Sequence, residues 1–351
     1  MILSAMPRAG RLLLVAVCAG WLLAGRSSVA EELPRAPEPP VRIAVTAMAI
    51  PAFETRDPSR RRFGALEFRG GLELKSAYPN FGGLSGLRMM PDGQHFIALS
   101  DRGRWLRGRL VYDAAGAPAG IADAEMAPIL GPDGRPSAAR NWFDTESLAD
   151  DGKGTLYVGI ERANRILRFD YGRSGLRARG QPIPVPAEIG TLPRNQSLEC
   201  LAAVPQGMPR AGTLIVISEK GLDTAGNIKG FLLLGPPQGR GAFAVKRSDD
   251  FDVTDCVVGP GETLYVLERK FSWLAGVAMR LQRFALKDIV PGAVLAGETL
   301  TTADMAYQID NMEGLGLHRD KAGRVILTLV SDDNFSSIQR TLLLQFAVAD
   351  D

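Results

Sequence analysis

The sequence predicts an all-β protein folded as a β-propeller of five blades, and three observations predict it. Short strand openings recur at nearly constant spacing, each leads through a turn into a second apolar strand, and helix-period stripes are nearly absent. The openings are Leu84-Ser85-Gly86-Leu87, Thr145-Glu146-Ser147-Leu148, Leu198-Glu199-Cys200-Leu201, Thr254-Asp255-Cys256-Val257 and Met312-Glu313-Gly314-Leu315. Their second residues are separated by 61, 53, 56 and 58 positions, a little more than the roughly 40–50 residues of common propeller repeats.

The chain begins with Arg8 and Arg11 followed by an apolar run of thirteen residues, 12–24. That length suits a secretory signal peptide and falls short of the ~20 apolar residues a membrane span needs. Residues 1–30 are therefore expected to be a cleaved signal peptide, with Ser28-Val29-Ala30 as the cleavage site and no stable membrane insertion afterwards. Residues 31–41 are too rich in proline for a sheet interior and read as an extended leader, which leaves 42–351 as one propeller domain, expected to be monomeric and periplasmic or secreted.

Within the domain, each opening passes through a turn such as Pro91-Asp92-Gly93 or Asp150-Asp151-Gly152 into a β-branched or aliphatic strand, for example Leu156-Tyr157-Val158-Gly159-Ile160. Third strands such as Arg165-Ile166-Leu167-Arg168-Phe169 alternate polar and apolar residues. A sheet of this kind buries both faces only by stacking on its neighbours, which radial repetition achieves. Thr341-Leu342-Leu343-Leu344-Gln345-Phe346 has no strand after it, whereas Ala65-Leu66-Glu67-Phe68 and Leu72-Glu73-Leu74 precede the first repeat. Pairing of these N- and C-terminal strands closes the ring and removes an edge. Five blades are expected, and a sixth is reached only if residues 42–62 build one.

Loss of residues 1–30 removes three arginines and no acids, so the formal charge falls from +2 to −1. A nearly neutral chain lacks the basic excess of a nucleic-acid binder. Only Cys200 and Cys256 remain, in corresponding places of adjacent repeats, where blade spacing is expected to keep them too far apart to bond. His95 and His318 are the only histidines and lie away from the shared positions, which disfavours a His-dependent triad, and no zinc or dinucleotide motif is present. Asn195-Gln196-Ser197 fits a glycosylation triplet, a three-residue match of little weight.

In a propeller the first strand lines the channel and the second returns antiparallel to it, so the start of one and the end of the other share a mouth. Both positions are charged. The first set is Glu146, Glu199, Asp255 and Glu313, with Ser85 in the same place of the first repeat. The second is Asp101-Arg102, Glu161-Arg162, Glu219-Lys220, Glu268-Arg269-Lys270 and Asp332-Asp333-Asn334. Carboxylates crowded on a narrow axis need compensation by cations, protons or a metal, and oxygen-only ligands suit a hard ion such as Ca²⁺. Any one acid is accounted for by a turn or a neighbouring arginine, but the whole ring exceeds what blade cohesion requires. Ser85 reads as a hydroxyl bonding backbone, with a reacting group as the alternative, because Gly83-Leu84-Ser85-Gly86-Leu87 lacks the last glycine of a nucleophile elbow.

Gly82-Gly83-Leu84-Ser85-Gly86-Leu87, Ser100-Asp101-Arg102-Gly103, Asp144-Thr145-Glu146-Ser147-Leu148 and Asn195-Gln196-Ser197-Leu198-Glu199, with Leu267-Glu268-Arg269-Lys270-Phe271 and Asn311-Met312-Glu313-Gly314-Leu315, resemble the bacterial phytase-like propeller family described as having esterase-like activity of phytase. The resemblance covers roughly residues 60–348. It implies a propeller exported to the periplasm or beyond that hydrolyses phosphate or carboxylic esters of small anionic or ester substrates. Alkaline phytase propellers hold calcium and basic residues in an acidic mouth. By that analogy Asp101, Glu146, Glu161, Glu199, Asp255, Glu268, Glu313 and Asp332 are expected to hold a divalent cation, with Glu146, Glu199 and Glu313 catalytic. Arg102, Arg162, Lys220, Arg269 and Lys270 are expected to receive the substrate. A non-catalytic propeller that presents the same mouth to a ligand, or a sugar-lactonase-like hydrolase, is equally compatible with the fold.

Overall fold

Five sheets make up the computed structural model, which describes residues 38–194 and 196–349. The signal peptide, most of the proline-rich leader and Asn195 of the glycosylation triplet lie outside the described residues. Each repeat opening is the innermost strand of one sheet. In blade one the strands run outward as Leu84–Met89, His95–Ser100, Arg104–Tyr112 and Pro118–Pro128, with Val41–Arg42 at the outer edge. Blade two is built from Thr145–Asp150, Thr155–Ile160, Arg165–Asp170 and Gln181–Pro182. Blade three runs through Cys200–Ala203, Thr213–Leu222, Ile228–Leu234 and Gly241–Val245, and Val294–Leu295 adds a parallel outer strand. Blade four consists of Asp252–Gly259, Thr263–Ser272, Gly276–Ala285 and Glu298–Ala303.

Blade five joins the two ends of the propeller. Asn311–Arg319, Val325–Asp332 and Thr341–Val348 are followed outward by Leu66–Lys75, which pairs antiparallel with the last of them from Leu66 opposite Val348 to Leu74 opposite Thr341. Thr46–Ile50 then covers the outer side of Leu66–Lys75, so residues 42–62 supply edge strands to existing blades and the count is five. Among the described residues no helix is long and apolar enough to cross a membrane.

The core is divided among the blade interfaces, as stacked sheets with two apolar faces require. Trp105 of blade one packs with Phe169 of blade two, and Ile166 of blade two with Leu214 of blade three. Phe53, Phe63, Phe68 and Phe346 form an aromatic cluster between blades four and five. The turns that lead into second strands are held as expected. Asp92 accepts from the backbone N–H groups of Gln94 and His95, and Gly93 adopts φ +69°, where an added Cβ would come within 2.5 Å of the His318 ring.

Two features tie the inner strands together. Arg88, on the inner strand of blade one, is buried where the strands converge. Its guanidinium donates to the carbonyls of Leu201, Cys256 and Leu315 and pairs with Asp255 at 3.1 Å, so one side chain holds blades three, four and five. Cys200 and Cys256 form a disulfide between blades three and four, with Cα atoms 5.2 Å apart. This corrects the expectation that blade spacing keeps them apart. Blades diverge outward, but their first strands lie side by side at the axis, and a separation near 5.5 Å is what a disulfide needs.

Candidate functional site

The mouth of the channel owes its side chains to irregularities in the inner strands. In blade two Ser147 pairs with Gly159 and Thr145 with Ile160, which leaves Glu146 unpaired in a bulge. In blade five Met312 pairs with Ser331 and Gly314 with Val330, which leaves Glu313 in the same situation. A bulge places an extra residue on one strand and re-aims its side chain, here toward the axis. In blade four the bulged residue is Thr254, whose hydroxyl bonds the Met312 carbonyl, and the next residue, Asp255, turns to Arg88. Glu199 comes immediately before the inner strand of blade three. Glu161, Glu219 and Asp332 come from the far ends of second strands or the residue after.

These residues enclose a cavity of about 640 Å³. Its carboxylates are Asp101 from blade one, Asp144, Glu146 and Glu161 from blade two, Glu199 and Glu219 from blade three, and Asp310, Glu313 and Asp332 from blade five. Against these nine, only Lys220 and Arg269 bring positive charge to the lining. Arg269 pairs with Glu313 at 2.9 Å and with Glu219 at 3.4 Å, and Lys220 is 3.5 Å from Glu219 and 3.2 Å from Asp252. Glu161, Glu199 and Glu219 are all buried, and one oxygen from each lies within 4.8 Å of the other two.

Uncompensated charge is visible in the proton affinities. Burial, reinforced by Glu161, Glu313, Asp101 and Asp332, pushes Glu146 well above the usual carboxylate range. The Glu146 side chain lines the cavity and makes no ion pair or hydrogen bond to another described residue. Glu199 is raised well above normal by burial and by Glu161 and Glu146. Burial lifts Glu161 to about 7 even though it accepts from the Ser197 N–H at 2.7 Å, and a Glu199 oxygen lies within 4.8 Å of it. Burial likewise takes Glu313 to about 8 against the pull of Arg269, Asp332 to about 7 and Asp101 to about 6.

The structure brings together six of the eight acids expected to hold a cation, namely Asp101, Glu146, Glu161, Glu199, Glu313 and Asp332. It places the other two elsewhere. Asp255 is fully buried against Arg88 and accepts from the Leu315 and Cys256 N–H groups. Glu268 pairs with Arg280, directly opposite it on the neighbouring strand, while Arg269 takes the mouth-facing position. Of the five basic residues, Lys220 and Arg269 reach the cavity. Arg102 lies over the Phe335 ring, Arg162 pairs with Asp144, and Lys270 lies over Phe251. Ser85 donates to the Thr145 carbonyl at 2.6 Å and so bonds backbone between blades.

Glu219, Asp144 and Asp310 were not among the expected ligands. Glu219 stands near the far end of its second strand, the repeat position that Glu161 takes in blade two, and Asp144 and Asp310 stand just ahead of Thr145-Glu146 and Asn311-Met312-Glu313, so both signals were present in the repeat.

A family model described as Phytase-like, esterase-like activity of phytase, matches residues 79–335. Comparison with curated proteins finds no match. Among solved structures, "Structure of U3-55K" aligns with a TM-score of 0.35 and 8% identity, covering 76% of this chain and 95% of that one.

Proposed function

The chain belongs to the phytase-like family described by esterase-like activity of phytase, and from that membership we propose an exported hydrolase of phosphate or carboxylic esters that works with a divalent cation, Ca²⁺ foremost, in its acidic mouth. The observation that carries this reading is the buried cluster of Glu161, Glu199 and Glu219 in a cavity with nine carboxylates and two cationic side chains. Paired acids would need no further charge, but among the described residues none of Glu146, Glu161 and Glu199 is ion-paired with a cationic side chain. The donors are all oxygen, as Ca²⁺ requires, and their separation fits a set that closes on one ion. Glu161, Glu199 and Glu219 would hold the cation. When bound, its chemistry would be that of a Lewis acid, drawing electron density from the ester oxygen.

The remaining roles belong to side chains outside that triad. Burial and the neighbouring carboxylates favour the protonated form of Glu146, and its side chain makes no competing bond to another described residue, so it suits a general acid that protonates the departing alkoxide as water adds and the ester C–O or P–O bond breaks. Arg269 and Lys220, oriented by Glu313 and Asp252, are placed to receive the acid product or the negative charge that develops on the way to it. The disulfide supports export, since such bonds persist in oxidising compartments, and the apolar run at 12–24 supplies the signal.

The test is calorimetric titration of chelator-treated protein with Ca²⁺, Mg²⁺ and Mn²⁺, followed by turnover of 4-nitrophenyl acetate and 4-nitrophenyl phosphate with each ion. Binding should weaken at least tenfold in Glu199→Gln, and Glu146→Gln should lower kcat by about 10²-fold or more. Absence of both cation binding and turnover in the wild type would end the hydrolase reading and leave the mouth as a binding surface.

A further inference from the structure

Large apolar side chains share the cavity with the acids. Phe271 and Val277 come from the long hairpin of blade four, Met305 from the loop after Glu298–Ala303, and Ile338 from the loop before Thr341–Val348. They form a wall on the side of blades four and five, whereas the carboxylate triad comes from blades two and three. The wall is open: Phe271 is 54% exposed, Met305 57% and Ile338 88%. Trp273, at the hairpin tip, meets Phe271 edge to face at a centroid distance of 5.2 Å and props it beside the cavity.

Clustered apolar exposure beside convergent polar groups in a concave site of this size is the make-up of a small-molecule pocket. The charges narrow the ligand further. With nine carboxyl groups to two cations in the lining, a polyanion finds cationic partners only in Lys220 and Arg269, both already paired with acids, and no others among the described residues of the cavity. We infer that the mouth takes a neutral ester bearing an apolar acyl or aryl group, laid against Phe271, Met305 and Ile338, in preference to a polyphosphorylated ligand. This assignment of substrate class rests on the hydrolase reading above, with the ester group over the acids and its apolar arm on the wall.

Binding and turnover separate the two claims. Octanamide, an uncleavable neutral analogue of an octanoyl ester, should bind chelator-treated protein roughly tenfold or more tightly than acetamide in calorimetric titration, since each buried methylene is worth up to about fourfold. Inositol hexakisphosphate should not bind detectably. The double variant Phe271→Ala/Ile338→Ser should bring octanamide down to the affinity of acetamide, with an unchanged thermal melt because both side chains are more than half exposed. In turnover, the kcat/KM ratio of 4-nitrophenyl octanoate to acetate should exceed ten and fall toward one in the variant. Equal affinity for the two amides, or octanamide binding that survives the double substitution, overturns the inference whether or not esters are cleaved. Octanamide binding without hydrolysis of any ester would uphold the ligand class and remove the hydrolase reading alone.

Discussion

Stripped of divalent cations, the protein should lose stability as pH rises from about 5 to about 8, the reverse of ordinary acid denaturation. Glu313 and Asp332 carry the effect, with burial lifting them from 4.5 to about 8 and from 3.8 to about 7. Below pH 4 each is protonated in both the folded and the unfolded chain. Between the unfolded and folded values the native state keeps a proton the unfolded chain has lost. Their contribution is therefore full at low pH and fades as pH passes through the folded values. A shift of three units corresponds to about 4 kcal/mol for a single group. The acids repel one another, so their shifts overlap, and the net loss is taken as about 4 kcal/mol for the ring rather than per residue. At about 2 °C per kcal/mol for a chain of this size, Tm should drop by about 8 °C between pH 5 and pH 8.5. Circular-dichroism melts of chelator-treated protein at the two pH values measure this. Ca²⁺ at a hundred times its Kd should restore about 2.7 kcal/mol at the higher pH. A Tm in the cation-free protein that is flat or rising over this range would refute the argument, because the mouth would then hold its carboxylates ionised at no cost.

Arg88→Met leaves Asp255 buried without its partner and should destabilise the protein by about 3–5 kcal/mol in urea titrations, with most of the loss recovered in Arg88→Met/Asp255→Asn. Replacing both Cys200 and Cys256 by serine opens a bridge spanning 56 positions and should cost about 4 kcal/mol by the chain-entropy relation; dithiothreitol should lower the Tm of the wild type but not of this variant. Glu268→Gln removes one of the two acidic partners of buried Arg280, leaving Asp249, and should lower stability by about 2 kcal/mol while leaving cation affinity at the wild-type value, since Glu268 does not line the mouth.

Much of this was legible in the repeat. The five openings share their spacing because each is an inner strand that begins at the same mouth, and the acids at their second positions follow from the same geometry. The exceptions turn on a one-residue phase that no spacing records. Because side chains alternate along a strand, Glu268 and Arg269 face opposite ways, and it is Arg269 that enters the cavity. Asp255 has the register of Glu199, yet the bulge at Thr254 and the presence of Arg88 across the axis give it a different partner. The disulfide was illegible for a reason of scale, since an average distance between blades says nothing about strands at the centre. The apolar wall arises from loops and a hairpin tip, segments outside the repeat whose position only the fold determines.

The strand Leu66–Lys75, held between Thr341–Val348 and Thr46–Ile50, makes assembly of the ring wait on the last segment of the chain. Blades one to four can form as the polypeptide lengthens, but Leu66 finds Val348 only when nearly everything else is in place, at a loop-closure cost of about 5 kcal/mol. Until then Phe68, Leu72 and Leu74 remain on an unpaired edge. A chain cut short before Thr341 therefore presents an adhesive strand, and two crowded full-length chains have an alternative to closure: each can insert this strand into the other's fifth blade, producing an exchanged dimer from contacts that are already native.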